Sequence, residues 1–476
     1  MVKVFYAEEI RKIEELTCKE KQINIIDLMY QVGYVLTKDF LSRVMPDVNA
    51  KILVIANIGN NGGDAIVVFQ ELKKLGYNVF LSVVGNESKA TEAFKYYYDK
   101  IEKKDEIIAF IDIEKEITSS KHIIDGIFGI GLKKEISGKF KDLIFLINNA
   151  QKNVYAIDLP SGINPDSGEV MGIALKAKYT GVIGNYKLGN FLNDALDYHG
   201  EIKLLDLGLL EGYSDIYYLD YNDIDISRLR THNSSKYDYG KIAFIGSSKM
   251  PGAINLAAIA AHKSGIGLAD VFYEEEIFRY NIEIIYDRLN EHLDYSKYDV
   301  CVFGPGIIDK SDFYQKIMDD LIESKIKLVV DAGGLKYLDY SKKYDNLIIT
   351  PHLGELSQIL NLDKSEIRKD SIKHLRRLAQ NGMICLLKGA TSIIQEKRYT
   401  YLMQAKNTGL ATAGTGDVLS GIIGAFLVDE TLFNAAVKGT IVHMIAADYA
   451  RVKRGEVSMV ATDIVDSLYK VWTRKR

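Results

Sequence analysis

Short runs of β-branched residues alternate with longer amphipathic segments along most of this chain, and that rhythm restricts the fold more than any other feature. From Lys51 it reads KILVIAN, a Gly/Asn loop, DAIVVFQELKKLG, NVFLSVVG, HIIDGIF and NVYAID. Near-continuous apolar strands joined by helical crossovers predict a mostly parallel sheet covered on both faces. Helix-period apolar positions precede it over residues 8–20 and 24–44, and the rhythm continues to LLDLGL at 204–209. It lapses over 210–235 into a Tyr-, Asp- and Asn-rich stretch, the candidate linker. A second series starts at KIAFIGS (241–247), passes through VCVFGPG, LVVDAGG, LIITPH and CLLKGA, and ends in helices after Gly416. The expectation is two α/β domains of ordinary size, over 1–212 and 225–476.

Composition removes several function classes. The 476 residues carry 60 basic against 64 acidic side chains, a net charge of −4, which argues against a protein built to coat phosphate backbone. Cys18, Cys301 and Cys385 form no C-x-x-C pair, so a disulfide framework and a Cys-rich zinc site both lack material. Neither a signal peptide nor a run of roughly 18 apolar residues is present. The expected setting is cytoplasmic, with no nucleic-acid and no membrane partner.

Three loops carry chemistry in the first series. NIGNNGGDA, Asn57 to Ala65, follows a strand and opens a helix. Its glycines allow close backbone approach, and free N–H groups at a helix start favour an anion such as a pyrophosphate. It is neither G-x-G-x-x-G nor G-x-x-x-x-G-K-[ST], and alone it fits a tight strand-to-helix turn equally well. Asp125 and Asp158 each end a strand, in HIIDGIF and NVYAID. Strand carboxyl ends share one rim of a parallel sheet, so these loops converge there. Asn61, Asp125 and Ser161 then offer oxygen ligands with a single carboxylate, which suit a monovalent cation better than zinc. Ordinary loop capping is the competing reading for both aspartates.

These strings, with LMYQVG earlier, resemble the N-terminal epimerase domain of the bifunctional NAD(P)H-hydrate repair enzymes. The resemblance covers roughly residues 5–210 and implies a Rossmann-like three-layer αβα domain. It implies potassium on Asn61, Asp125 and Ser161. Hydrate binding falls on Asn60, Asn61, Gly62, Gly63 and Asp64, on Gly129, Ile130, Gly131, Leu132, Lys133, Lys134 and Glu135, and on Asp158, which is also implied in catalysis. Asn57 and Ala65 stand where that family has glycines.

In the second series AGTGD, Ala413 to Asp417, precedes the apolar run VLSGIIGAFL. Gly414 and Gly416 permit a backbone nest whose N–H groups, with the positive helix end, stabilise charge on a phosphoryl group. Asp417 is placed to take a proton from a hydroxyl, as in ribokinase-like small-molecule kinases. A glycine-rich helix cap is the bland alternative. KGAT, TPHLGE, VFGPG and GSSKMPGA supply further strand-end loops, and His352 also fits a satisfied loop histidine.

Together these resemble the C-terminal dehydratase domain of the same repair enzymes, over about 225–476, which implies a ribokinase-like α/β fold. Hydrate contacts fall on Ala253, Gly306, His352 and Asp417. Nucleotide contacts fall on Lys388, Gly389, Ala390, Thr391, Ser392 and Gly416, with Asp417 catalytic. Three positions depart from the family pattern: Ser235 replaces a histidine, Gly333 replaces an aspartate, and GPGII replaces GPGLG. The whole implies an enzyme that epimerises NADHX and NADPHX and dehydrates one epimer with ADP as co-substrate. Potassium in the first site, Mg2+ in the second and a homo-oligomeric assembly are further expectations. The alternative is a ribokinase-like kinase with a non-catalytic N-terminal nucleotide-binding domain.

Overall fold

The computed structural model describes residues 1–102, 106–290 and 293–473. The chain divides into two compact units, Lys3–Ser214 and Asp215–Arg476, the latter joined by Met1–Val2.

In the first unit six strands lie side by side in the order Val79–Val84, Ile52–Asn57, His122–Gly126, Asn153–Ile157, Tyr179–Ile183 and Glu201–Leu205. Every neighbouring pair is parallel. The strand Ile52–Asn57 shows why both faces are covered. Ile52, Val54 and Ala56 join a core with the helices Ile25–Val44 and Asn60–Lys74, while Leu53 and Ile55 join a second core with Ile113–Ser119 and Lys139–Asn149. Burial on alternate sides explains the continuous apolar runs in the sequence. The helix Ile25–Val44 starts where the Asn24 side chain accepts from the Asp27 N–H and stops at Met45 in a left-handed conformation.

In the second unit the parallel run is Ile285–Arg288, Leu268–Tyr273, Lys241–Ile245, Val300–Phe303, Lys327–Val330, Leu347–Ile349 and Ile384–Leu387. An antiparallel hairpin, Thr391–Glu396 with Tyr399–Gln404, extends that sheet. Ile216–Tyr218 then pairs parallel with the hairpin's second strand. Part of the stretch expected as a linker is therefore an ordered strand: Ile216 is buried although Tyr, Asp and Asn surround it. The helices Pro251–Lys263, Thr415–Leu427, Leu432–Arg454 and Ala461–Thr473 share the main core with the sheet. Among the described residues no helix is long and apolar enough to cross a membrane.

Candidate active sites

The first unit's sheet reverses its winding between Ile52–Asn57 and His122–Gly126, because the chain crosses first to Val79–Val84 on one side and only later to the other. A crevice opens beyond the strand carboxyl ends at such a switch point. Here it is a cleft of about 930 Å³. Asn60, Asn61, Asp64, Gly129, Ile130, Gly131, Leu132 and Asp158 line it, together with Arg11 and Glu14 from the helix Ala7–Lys21. Gly62 is forced by geometry: a Cβ there would lie 1.5 Å from the Asn57 carbonyl oxygen, so helix and strand meet with no room for a side chain.

Asp125 is fully buried. It accepts from Ser161 Oγ at 2.6 Å, from the Ser161 N–H at 2.8 Å and from the Ile127 N–H at 3.1 Å. The Phe128 N–H donates to Ser161 Oγ at 2.8 Å. Burial nevertheless pushes the carboxyl up to about 6, against the effect of these hydrogen bonds. Asn61 Oδ1 sits against Gly129, 2.9 Å from where its Cβ would be, and Asn61 Nδ2 is buried without a hydrogen-bond partner. A buried carboxylate without a cationic partner among the described residues, next to the Ser161 hydroxyl and with Asn61 Oδ1 as a further oxygen on the neighbouring loop, has the donor chemistry that fits a monovalent cation.

Asp158 holds a left-handed backbone, φ 67°, a conformation that costs a non-glycine residue about 1–2 kcal/mol. Its Oδ1 accepts from the Ile183 N–H at 3.0 Å and from Lys187 Nζ. Lys187, almost fully buried, also donates to the Ile183 carbonyl at 2.8 Å. Burial, with Glu14 and Asp158 adding to it, pushes the neighbouring Asp64 carboxyl well above its ordinary range.

In the second unit Asp331, at the end of Lys327–Val330, and Lys388, at the end of Ile384–Leu387, form the centre. Lys388 Nζ donates to Asp331 Oδ1 at 2.5 Å and lies 3.8 Å from Glu355 Oε2. Burial works against its charge, but Asp331 and Glu355 outweigh that and hold the ammonium above its ordinary range. The same Nζ is 3.3 Å from the position of a Cβ on Gly416, which brings the AGTGD loop to it. Gly414 begins the helix Thr415–Leu427 with φ 89° and no side-chain cap. Asp417 stands in the first turn, and its carboxyl is pushed up to about 7 by burial and by Asp331, with Lys388 opposing. Below the loop, burial pushes the His443 ring down to about 4, and that ring hydrogen-bonds the Thr415 backbone.

A bifunctional NAD(P)H-hydrate repair enzyme, Nnr, of Dictyoglomus turgidum is 32% identical to this chain, with 98% of each chain aligned. This chain belongs to the bifunctional NAD(P)H-hydrate repair enzymes. Another member, from Coxiella burnetii, is 31% identical over 98% of this chain and 99% of its own. The family model described as NAD(P)H-hydrate dehydratase matches residues 242–470, and that described as YjeF-related protein N-terminus matches residues 26–189. A solved ADP/ATP-dependent NAD(P)H-hydrate dehydratase from Bacillus subtilis, co-crystallized with ATP and Mg2+, aligns at 26% identity and a TM-score of 0.47. It covers 52% of this chain and 93% of its own.

Within this repair-enzyme chain, Lys133, Lys134 and Glu135 are exposed beyond the cleft lining. Gly62 and Gly63 lie in the first turn behind it. Ala253 and Gly306 face each other, with 3.5 Å between the Ala253 Cβ and the place of a Cβ on Gly306. His352 caps the helix Leu353–Leu360: its Nδ1 accepts from the Glu355 N–H at 3.1 Å, and Glu355 Oε2 accepts from the His352 N–H at 2.7 Å. Its backbone neighbour across the sheet is Lys388, whose N–H donates to the Pro351 carbonyl at 2.8 Å. Gly389 and Ala390 are exposed, whereas Thr391 and Ser392 are buried at the start of the hairpin.

One departure from the family pattern, Gly333, has a steric reason. A Cβ at Gly333 would lie 1.7 Å from the Ile307 carbonyl oxygen, so this backbone accepts no aspartate there. Ser235 is an exposed cap, its N–H and Oγ both donating to Asp238 Oδ2. Glu14, Lys187 and His443 escaped the sequence reading. The only signal for Glu14 was its helical spacing from Arg11 and Cys18 in AEEIRKIEELTCKE, and all three line the cleft.

Proposed function

We propose that this chain restores NAD(P)H from its hydrates. The first cleft interconverts the two epimers at the hydrated ring carbon, and the second site removes water from the S epimer at the expense of ADP. The observation that carries this reading is Asp417, a half-buried carboxyl titrating near neutrality in the first turn of a glycine-led helix, beside Lys388. A base poised near the working pH suits removal of a hydroxyl proton.

In the second site Asp417 takes the proton of the ring hydroxyl as its oxygen attacks the β-phosphorus of ADP, releasing AMP. The backbone N–H groups of the AGTGD loop and the start of the helix Thr415–Leu427 stabilise the charge on the transferring group. Loss of a proton from the adjacent ring carbon and departure of phosphate then restore the double bond. Phosphorylation replaces hydroxide, a poor leaving group, with phosphate. Lys388 is placed to meet the nucleotide phosphates. Among the described residues no three metal-binding side chains converge, and Lys388 occupies the space between Asp331 and Glu355. Magnesium is therefore expected to arrive on the nucleotide phosphates rather than in a protein cage.

In the first site Asn61, Asp125 and Ser161 would hold potassium. The ion would neutralise Asp125 and add a positive charge to the cleft. The GNNGGD turn and the start of the helix Asn60–Lys74 suit the pyrophosphate of the dinucleotide.

Incubating the chain with mixed hydrate epimers and ADP, or ATP, while following the dihydropyridine absorbance tests this function. The expected result is recovery from both epimers. No recovery with either nucleotide refutes it.

A further inference from the structure

The cleft of the first unit holds a group of ionisable side chains larger than cation or pyrophosphate binding requires. Asp64, Asp158 and Glu14 all line it, and the Lys187 ammonium sits behind Asp158. Their environments separate their roles. Asp158 Oδ1 is committed to Lys187 and to the Ile183 N–H, so it already serves a buried ion pair. Asp64 is buried, and burial followed by Glu14 and Asp158 pushes its carboxyl well above its ordinary range.

Glu14 differs from both. It lines the cleft from the helix Ala7–Lys21, and Ile10 and Ile13 of the same helix are held in a small core with Phe5. Arg11, one turn earlier, donates from Nη2 to the Ile130 carbonyl at 2.9 Å and ties this helix to the loop across the cleft. The Glu14 carboxyl makes no hydrogen bond or ion pair with any described residue. The charges facing it are Lys187 and Asp158 from the neighbouring strand ends, Asp64 from the helix Asn60–Lys74, and Arg11 and Glu15 from its own helix. Burial is the largest influence on it and pushes its carboxyl up to about 7.

We propose that Glu14 is the group that moves the proton during epimerisation, with Asp158 and Lys187 as a fixed ion pair beside it. This rests on the first cleft being the hydrate epimerase. Hydration of a dihydropyridine puts the hydroxyl on the carbon bonded to the ring nitrogen. The Glu14 carboxylate takes the hydroxyl proton, the carbon–nitrogen bond breaks with its electron pair going to nitrogen, and the carbon becomes an aldehyde. Glu14 returns the same proton to the nitrogen. The aldehyde turns its other face, and the reverse sequence closes the ring as the other epimer. One proton leaves and returns, and nothing is oxidised or reduced. A single carboxyl serving as base and then acid works best when its pKa lies near the working pH.

The test uses the full chain and purified R hydrate without nucleotide, following formation of the S epimer chromatographically, with ADP-dependent dehydration of the S epimer measured separately. Glu14→Gln is expected to slow epimerisation by about a hundredfold or more with KM and dehydration unchanged. The wild-type kcat/KM should rise through about pH 7, and the residual Glu14→Gln rate should lose that rise. Glu14→Ala should regain rate with added formate, a rescue that a structural role would not give. Epimerisation within a few-fold of wild type in either variant, persistence of the pH rise in Glu14→Gln, or failure of formate to restore Glu14→Ala overturns the proposal while leaving the epimerase reading in place. A wild-type chain that does not interconvert the epimers removes both.

Discussion

Replacing Asp417 by Asn separates catalysis from stability in opposite directions, which makes it the most discriminating perturbation of the second site. Burial, then Asp331, raises this carboxyl from 3.8 to about 7, with Lys388 opposing. The folded chain therefore keeps a proton that the unfolded chain releases between about pH 4 and 7. The wild type loses stability as pH rises through that window, and above pH 7 the full cost is present. Three pKa units correspond to about 4 kcal/mol. Asn carries no charge and does not incur this cost. Losing a negative charge in the first helical turn removes only about 0.3–1 kcal/mol, and the helix is begun by Gly414 without a side-chain cap. The variant should therefore match the wild type near pH 4 and exceed it by up to about 4 kcal/mol at pH 8 in denaturant unfolding. Activity should move the other way. Single-turnover dehydration of the S epimer at saturating ADP should fall at least about a hundredfold, the lower range for a lost general base, while ADP still binds in calorimetry. A rate within a few-fold of wild type would reduce Asp417 to a charged residue in a helix turn. A variant less stable than wild type at pH 8 would refute the account of its burial.

Asp125→Asn should impair epimerisation and leave dehydration intact, and wild-type epimerisation should be faster in potassium than in lithium; equal loss of both activities in a folded variant refutes the cation assignment. Gly333→Ala puts a Cβ 1.7 Å from the Ile307 carbonyl oxygen and should cost about 1–3 kcal/mol in chemical denaturation; a neutral result shows that the loop shifts freely. The folded pKa of His443 is depressed from 6.5 to about 4 by burial, so it withdraws stability as pH falls from 6.5 towards 4. His443→Gln should accordingly recover about 3 kcal/mol relative to wild type between pH 7 and pH 4, and parallel pH curves for the two proteins would refute it.

The fold was legible because buried parallel strands write themselves as unbroken apolar runs. Ile52 to Ala56 is buried on both faces, and such a β-branched run bounded by a glycine-rich turn fits a strand covered on both sides. Asp125 and Asp158 were legible for a related reason: a charged residue closing such a run marks a strand carboxyl end, and a parallel sheet gathers those ends on one rim. What stayed hidden depends on how elements dock. Ile216–Tyr218 is a strand because its partner, Tyr399–Gln404, offers an open edge, and nothing within the Tyr- and Asp-rich stretch announces that edge. Gly333 reads as the loss of an acidic residue until the Ile307 carbonyl is found where its side chain would be.

Glu14 is the sharpest case. In the sequence it is one of several acidic residues on an amphipathic helix, and an exposed face is the natural reading of AEEIRKIEELTCKE. Its chemistry arises only when Arg11 fastens that helix to the Ile130 loop and turns Glu14 towards Asp64, Asp158 and Lys187. Those four groups come from separate stretches of chain, and each unpaired alone would be an ordinary surface charge. Gathered in one cleft, they act on one another. Lys187 and the Ile183 N–H hold Asp158, burial raises the Asp64 carboxyl well above its ordinary range, and Glu14, pushed up to about 7, is the carboxyl that stands without a hydrogen bond to any described residue.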